Sequence, residues 1–157
     1  MLRIAVLAIA ALAAAGPASA ADGSGRTISE ADFSVQARQG CTDTGIVIAG
    51  GQRVAIRYLG GRWTANPASG LYGPEGLRTR IAKPGYALPG GSEGALVARV
   101  GGTTTAGFDG PQEKLLPDAL RGKLELCIND DTRAMYGVGL ADNIGQLDVR
   151  VRLYQPQ

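Results

Sequence analysis

Two short polar segments near the end of the chain could hold a hard cation. Asp130 follows an asparagine at the end of an apolar run, and Asp142 and Asn143 precede a glycine farther along the chain. Ca²⁺ prefers clustered carboxylate, amide and carbonyl oxygens of this kind, and sugar hydroxyls can join such a set of ligands. Each segment alone is also typical of an Asx turn. Together they favour a protein that binds a cation, a sugar or both.

The composition argues against several classes of function. The 157 residues include no histidine, which removes the usual Ser–His–Asp triads and the commonest zinc sites. Asp109, Glu113 and Asp118 lie in one polar connection, and their spacing does not indicate two carboxylates facing each other across a cleft. The net charge of +2 is spread along the chain without a basic block. We therefore expect neither an enzyme nor a nucleic-acid-binding protein.

The first residues predict an export signal. Arg3 precedes an apolar run, and an A-x-A cleavage site ends at Ala20, so residues 1–20 are predicted to be a signal peptide. The run is too short to span a bilayer, and no later run is long and apolar enough to do so. We expect an exported protein, periplasmic or secreted, with a flexible N-terminal segment at 21–30 and a single domain at 31–157.

Cys41 and Cys127 are the two cysteines of the chain. In an oxidising compartment such a pair usually forms a disulfide, and the alternative of a redox or metal pair lacks C-x-x-C spacing. Closing this loop would stabilise the fold by on the order of 4 kcal/mol in the chain-entropy model. Cys127 alternates with Leu126 and Ile128, so we expect the bridge on the outer side of a sheet or at its edge.

Apolar and polar residues alternate along several runs, which is typical of strands with one buried face. The clearest run is 147–153, and similar runs occur at 33–37, 54–58 and 124–128. Glycine-rich turn segments separate these runs. Residues 115–120 hint at a helical turn, which an internal proline limits. The pattern predicts an all-β domain built as an antiparallel β-sandwich.

Five segments occur in an order that is known from one family. They are Cys41 to Ile48 with Gly61-Arg62-Trp63, then Tyr72-Gly73-Pro74-Glu75-Gly76, Gly94 to Gly101, Gly122 to Asp130, and Asp142 to Gly145 with Val149-Arg150-Val151. In this order the chain resembles the galactose-binding-domain-like modules related to the bacterial galactophilic calcium lectin. The match covers most of residues 31 to 154.

The resemblance implies a jelly-roll β-sandwich with a shallow, loop-built site at one end. In such lectins a calcium ion in this site binds two hydroxyls of a galactose. By position, Asp130, Asp142 and Asn143 would supply side-chain oxygens and Asn66 a backbone carbonyl oxygen. Asp130 and Asn143 would also contact the sugar. Independently of the resemblance, Tyr72 could offer an aromatic face for stacking, whereas the single tryptophan is expected in the core.

Two regions depart from the pattern of the family. The loop at 131–141 is longer than in the lectins. The segment 77–83 carries Arg78, Arg80 and Lys83, where the lectins hold the sugar with a histidine and an amide. These basic side chains could recognise an acidic sugar or belong to a solvated loop. The departures weaken the expectation of galactose more than that of calcium.

The long loop also leads to a second hypothesis. It contains Met135 and Tyr136, and exposed apolar loop tips often mark a partner surface. The protein would then be a metal-free structural or protein-interaction module of the bacterial cell envelope. A glycan-binding test distinguishes this module from the carbohydrate-binding one.

Overall fold

The computed structural model describes residues 25–156, so the predicted signal peptide at 1–20 lies outside the described residues. This part of the chain forms strands and short 3₁₀ turns. No helix in it is long and apolar enough to cross a membrane.

The strands follow one another as β1 (Gly25–Gln36), β2 (Cys41–Ile48), β3 (Arg53–Thr64), β4 (Leu77–Ile81), β5 (Ser92–Glu93), β6 (Leu96–Val100), β7 (Thr103–Gly107), β8 (Lys114–Leu115), β9 (Gly122–Ile128) and β10 (Ile144–Pro156). The 3₁₀ turns are Ala37–Gln39, Pro67–Ser69 and Gly139–Asp142. The helical turn expected at 115–120 is absent, because this segment begins in β8 and continues as a loop.

The strands form two antiparallel four-stranded sheets in the orders β1-β10-β3-β8 and β2-β9-β6-β7, with β4 and β5 paired separately. Apolar side chains from both four-stranded sheets meet in a single core between them. The chain is therefore an antiparallel β-sandwich, as the alternating pattern predicts.

The core follows from that alternation. Leu147, Val149 and Val151 of β10 are fully buried, whereas Asp148 and Arg150 between them are partly exposed on the outer face of the sheet. Burying each of these aliphatic side chains contributes about 1.5–3 kcal/mol. Trp63 is also fully buried, and its indole Nε1–H donates to the carbonyl oxygen of Gly94 at 2.8 Å. This confirms that the tryptophan belongs to the core.

The domain begins earlier than the sequence suggests. Residues 25–30, predicted to be part of a flexible segment, form the first half of β1 and pair with β10 from Gly25, opposite Pro156. Their side chains are largely exposed and show no buried alternation, so the sequence carries no strand pattern here. The main-chain ladder and the ion pair between Glu30 and Arg152 hold this segment instead.

The disulfide between Cys41 and Cys127 is present, as predicted. The two residues face each other across β2 and β9, with their Cα atoms 4.0 Å apart. Cys127 alternates with core residues and β2 is an edge strand, so the bridge lies on the outer side of the sheet near its edge. It fastens β2 to β9 just before the polar segment at 129–131 leaves the sheet.

Three loops leave the sandwich where the site residues lie. β3 ends at Thr64, beside the start of β10 at Ile144. β9 ends at Ile128, beside the start of β6 at Leu96. The connections 65–76 and 129–143 therefore start or finish at these strand ends, and hydrogen bonds from Asn129 bring the loop at 82–91 to the end of β9.

Candidate functional site

The three loops enclose a cleft of about 380 Å³. Its walls are formed by Ala65, Asn66, Arg80, Lys83, Tyr86, Glu93, Asp130, Asp131, Tyr136, Gly137, Val138, Gly139 and Asp142. Three predicted metal ligands, Asp130, Asp142 and Asn66, share this cleft. Acidic, basic and aromatic side chains meet in it, which gives it the polar contacts and ring surface of a small-ligand site.

Asp130 is an ionisable group held out of water at the base of the cleft. Its side chain is 4% exposed, and one carboxylate oxygen accepts a hydrogen bond from the Asp131 N–H at 2.6 Å. The other oxygen, Oδ2, has no hydrogen-bond partner among the described residues. Burial raises the pKa of Asp130, the charges of Glu93 and Asp142 raise it further, and hydrogen bonds from Asp131 and Asn143 oppose the rise.

Asn143 places an amide beside that carboxylate. It is fully buried, and its Nδ2 donates to the carbonyl oxygen of Ala37 at 3.1 Å. Its Oδ1 has no partner within the described chain. The guanidinium of Arg38 donates to the Asn143 backbone carbonyl at 2.8 Å, which fixes the start of β10. Asp142 precedes it in a 3₁₀ turn, so the predicted acid and amide ligands do come together with Asp130.

Asn66 also lines the cleft, and both of its oxygens already accept hydrogen bonds. Its carbonyl oxygen, the predicted ligand atom, accepts hydrogen bonds from the Thr64 hydroxyl at 2.8 Å and from the Ser69 N–H at 2.9 Å. Its side-chain oxygen accepts from the Ala68 N–H at 3.0 Å and caps the following 3₁₀ turn. The residue lines the cleft, but its oxygens already have protein donors.

Asp131 also lines the cleft, although the sequence analysis does not single it out as a site residue. Its side chain is 3% exposed, and Oδ2 accepts a hydrogen bond from the Tyr136 N–H at 2.6 Å. Burial tends to raise the pKa of Asp131, but N–H groups of Met135, Tyr136 and Arg133 outweigh it and the pKa is lowered. Its Oδ1 has no partner in the described residues. The asparagine and two aspartates in succession were the available signal.

Asn129 holds the neighbouring loop in place. Its side-chain oxygen accepts from the Leu88 N–H at 2.7 Å, and its amide donates to the carbonyl oxygens of Leu88 and Ser92 at 3.0 and 2.9 Å. These contacts join the end of β9 to the loop at 82–91 and to the start of β5. Asn129 is therefore a structural clamp that brings this loop over the cleft.

The prediction that Tyr72 offers a stacking surface is wrong. The ring is 7% exposed and belongs to the hydrophobic core, and its hydroxyl accepts a hydrogen bond from the Ala65 N–H and lies 3.1 Å from the Thr64 hydroxyl. Gly94, at φ +71°, leaves the space that the ring occupies, since any Cβ there would collide with it. The ring has no free face for a sugar.

Two other tyrosines line the cleft instead. Tyr86 and Tyr136 come from different loops, and their ring centroids are 6.1 Å apart. Burial raises the pKa of Tyr86 to about 12, and the negative charges of Glu93, Asp130 and Asp131 add to the rise. Tyr136 was noted in the sequence as part of a loop tip. No periodic pattern linked it to Tyr86, because they are far apart along the chain.

The basic residues at 77–83 have separate positions. Arg80 and Lys83 line the cleft, whereas Arg78 lies outside it and donates to the Asp109 carbonyl. The Arg80 guanidinium is 3.4 Å from Glu93, and the Lys83 ammonium lies 4.7 Å from the Tyr136 ring centroid. The cleft thus combines four acidic side chains with two basic ones at its rim.

The site contains oxygens that suit a calcium ion. Within residues 25–156, no three His, Cys, Asp or Glu side chains are grouped closely enough to hold a metal by themselves. Two acids with one buried amide form a different set, and two of their oxygens, on Asp130 and Asn143, lack protein partners. Hard oxygen donors of mixed type match the preference of Ca²⁺.

The carboxylates considered for acid–base catalysis are engaged elsewhere. Asp118 pairs with Arg53 at 2.9 Å, and Asp109 and Glu113 lie within 3.6 Å of surface cations. The segment 90–94 does match the letters G-x-S-x-G, but its serine lies in the short strand β5 and not at a turn from a strand into a helix.

Comparison with known proteins supports the fold. No protein-family model matches the chain. No curated protein matches it either. Among solved structures, the chain is similar to one described as "EclA N-terminal domain; PllA-like lectin", with a TM-score of 0.52 and 21% sequence identity. The similarity covers 78% of this chain and 94% of that chain. The protein therefore has a lectin-like β-sandwich fold.

Proposed function

We propose that this protein is an exported carbohydrate-binding module that takes a sugar, of galactose type or another, into the cleft with the help of one calcium ion. The lectin-like fold supports the carbohydrate, and the disulfide supports an oxidising compartment. The proposal takes the predicted acids and amide as the metal ligands.

One observation carries the proposal. Asp130 Oδ2 and Asn143 Oδ1 are buried, and neither atom has a hydrogen-bond partner at ordinary distance in the described residues. Asp130 lines the open cleft, and the Asn143 side chain lies beside its carboxylate. An unpartnered polar atom in a folded interior costs about 1–3 kcal/mol. A fold that retains two such atoms on neighbouring side chains beside a cleft has an arrangement ready for a ligand that supplies positive charge.

The proposed ligands of the calcium ion are oxygens of the predicted acids and amides. Asp130 and Asp142 would balance the charge of Ca²⁺, and Asn143 would add the amide oxygen. Asn66, whose carbonyl is already hydrogen-bonded, would serve through a shared oxygen or through water. The ion would supply a fixed positive charge to which sugar hydroxyls bind in place of water.

The first experiment measures calcium binding through its effect on thermal unfolding. Calcium at about 100 times its dissociation constant should stabilise the native chain by about 2.7 kcal/mol, seen as a rise in Tm. Asp130→Asn should abolish the rise, and Asp118→Asn, an exposed carboxylate outside the cleft, should preserve it. An equal rise in both variants would contradict the metal assignment.

A glycan array then tests the sugar. The mature protein should bind a subset of glycans in calcium and lose that binding when a chelator is added. Binding that persists in the chelator would leave a carbohydrate-binding module without calcium. An array without any signal, at protein concentrations adequate for weak lectins, would contradict carbohydrate binding itself.

The alternative, a metal-free interaction module of the cell envelope, has one observation in its favour. Met135, Val138 and Ile81 are exposed large apolar side chains near the cleft. Such exposure is found at partner surfaces. Specific capture of one envelope protein, lost in Met135→Ser and accompanied by an empty glycan array, would favour this module over the lectin.

A further inference from the structure

The long loop at 131–141 packs against the loop at 82–91 and is hydrogen-bonded to it. The Tyr136 hydroxyl donates a hydrogen bond to the Pro84 carbonyl oxygen at 2.9 Å. Met135 packs against Gly85, where φ is +95° and an added Cβ would lie 2.8 Å from the methionine sulfur. The two loops therefore form one wall of the cleft.

Asp131 fixes the near end of this wall. Its buried carboxylate accepts the Tyr136 N–H at 2.6 Å, and it also faces N–H groups of Met135 and Arg133. A carboxylate that collects several N–H groups holds the turn in one conformation. Tyr136 is thus fixed at both its backbone and its hydroxyl.

The wall presents aromatic surface to the cleft. The rings of Tyr86 and Tyr136 are tilted by 47°, with 6.1 Å between their centroids. Tyr136 is 46% exposed and Tyr86 is half-buried behind it. The Lys83 ammonium, 4.7 Å from the Tyr136 centroid, adds a cation–π contact that restrains the ring further.

We propose that Tyr86 and Tyr136 form a stacking subsite for the C–H face of a pyranose whose hydroxyls reach the acidic base of the cleft, and that Asp131 is the residue that positions it. This inference rests on the proposed function and adds to it the selection of sugars with one continuous apolar face. It places the aromatic contact in the long loop and the loop at 82–91.

The chemistry of the cleft matches both sides of such a ring. A sugar ring has a face of C–H groups and a rim of hydroxyls, and aromatic side chains with a polar tip suit a half-wet contact of this kind. Carboxylates on the opposite side accept hydrogen bonds from hydroxyls. Because Tyr136 is restrained before binding, stacking on it costs little side-chain entropy.

The test uses saturation-transfer NMR with a panel of methyl pyranosides in calcium, starting with methyl β-D-galactopyranoside. Saturation of the tyrosine ring protons should transfer most strongly to the C–H protons of one face of the sugar. Tyr136→Ala and Tyr86→Ala should each weaken binding about five- to tenfold, the range expected for one aromatic contact. Tyr136→Phe should retain most of the affinity.

Control variants separate the subsite from general damage. Tyr154→Ala, at the far end of β10, should leave affinity and transfer unchanged. Asp131→Ala should weaken binding and abolish the contacts between the Tyr86 and Tyr136 ring protons, and Asp131→Asn should restore part of both. Rings that keep their contacts in Asp131→Ala would overturn its positioning role.

The outcomes also distinguish the two proposals. Loss of sugar binding in Asp130→Asn together with full affinity in both tyrosine-to-alanine variants would overturn the stacking subsite and leave the carbohydrate module intact. Absence of transfer to every sugar of the panel in the native protein would overturn both.

Discussion

The outer face of β1 and β10 differs from the loop-built cleft in how its charged side chains are paired. On the sheet, Arg150 contacts both carboxylate oxygens of Asp32 at 2.7 and 2.9 Å, and Arg152 pairs with Glu30 at 2.5 Å. This pairing lowers the pKa of Asp32. In the cleft, burial raises the pKa of Asp130, and one of its oxygens has no partner in the described chain.

The difference separates exposed charges that are paired within the protein from a buried charge whose set of partners is incomplete. Exposed ion pairs are screened by water, so they stabilise a protein little and need no other explanation. A buried carboxylate without a complete set of partners opposes folding, and it persists where function requires it. The cleft is therefore the region in which a change should separate function from stability.

The largest effect is expected from the disulfide beside the cleft. Replacing Cys41 and Cys127 by serine should lower the free energy of unfolding by about 4 kcal/mol, because the long loop is no longer closed in the unfolded chain. Urea denaturation measures this change. Hydrogen exchange should rise first at residues 129–143 and last along β1 and β10. Uniform exchange across both regions would contradict the idea that the bridge secures the cleft.

Asp130→Asn should raise the free energy of unfolding, whereas loss of the disulfide lowers it. Without calcium at neutral pH, the variant should be more stable by on the order of 1 kcal/mol, because a buried charge with an incomplete set of partners is removed. A raised pKa means that the native chain loses stability as pH rises from the ordinary carboxyl pKa through the raised one. The variant should lack this loss. A less stable variant in chemical denaturation would contradict the account of Asp130.

Asp131→Asn should destabilise the protein, although this aspartate is the neighbour of Asp130. Its pKa is lowered, so its contribution is present above the ordinary carboxyl pKa and is lost as pH falls through the lowered value. The difference in Tm between native and variant chains should therefore shrink on acidification. An unchanged difference between neutral and strongly acidic solution would show that the carboxylate charge is not what orders the loop.

The smallest effect is expected on the outer face. Asp32→Asn removes an exposed ion pair with Arg150, so Tm should change by little more than the error of measurement, and added salt should erase the change. A loss comparable to that of Asp131→Asn would remove the contrast between the two regions.

The sequence predicts the sandwich better than it predicts the cleft. Alternation along 147–153 and the pairing of Cys41 with Cys127 are set by the two-residue period of strands and by the limited choice of partners. The acids at 130 and 142 and the amide at 143 could be grouped because the resemblance to the calcium lectins places them together. Those predictions concern strand faces and strand ends.

The loops carry no such period. Tyr72 is buried because Gly94 leaves room for its ring. The residues next to Tyr72 in the sequence do not indicate this burial. Tyr86 meets Tyr136 through contacts between two loops, and Asp131 is buried by the turn that it organises. Tertiary packing decides each of these positions, so a single sequence could not predict them.

The most direct test is anomalous diffraction from crystals of the mature protein grown in calcium. The account predicts one anomalous peak at about 2.3–2.6 Å from oxygens of Asp130, Asp142 and Asn143, which is the distance range of calcium ligands. The peak should vanish in crystals of Asp130→Asn. Well-ordered density for the cleft without a peak at saturating calcium would contradict the claim that its unpartnered oxygens hold a cation.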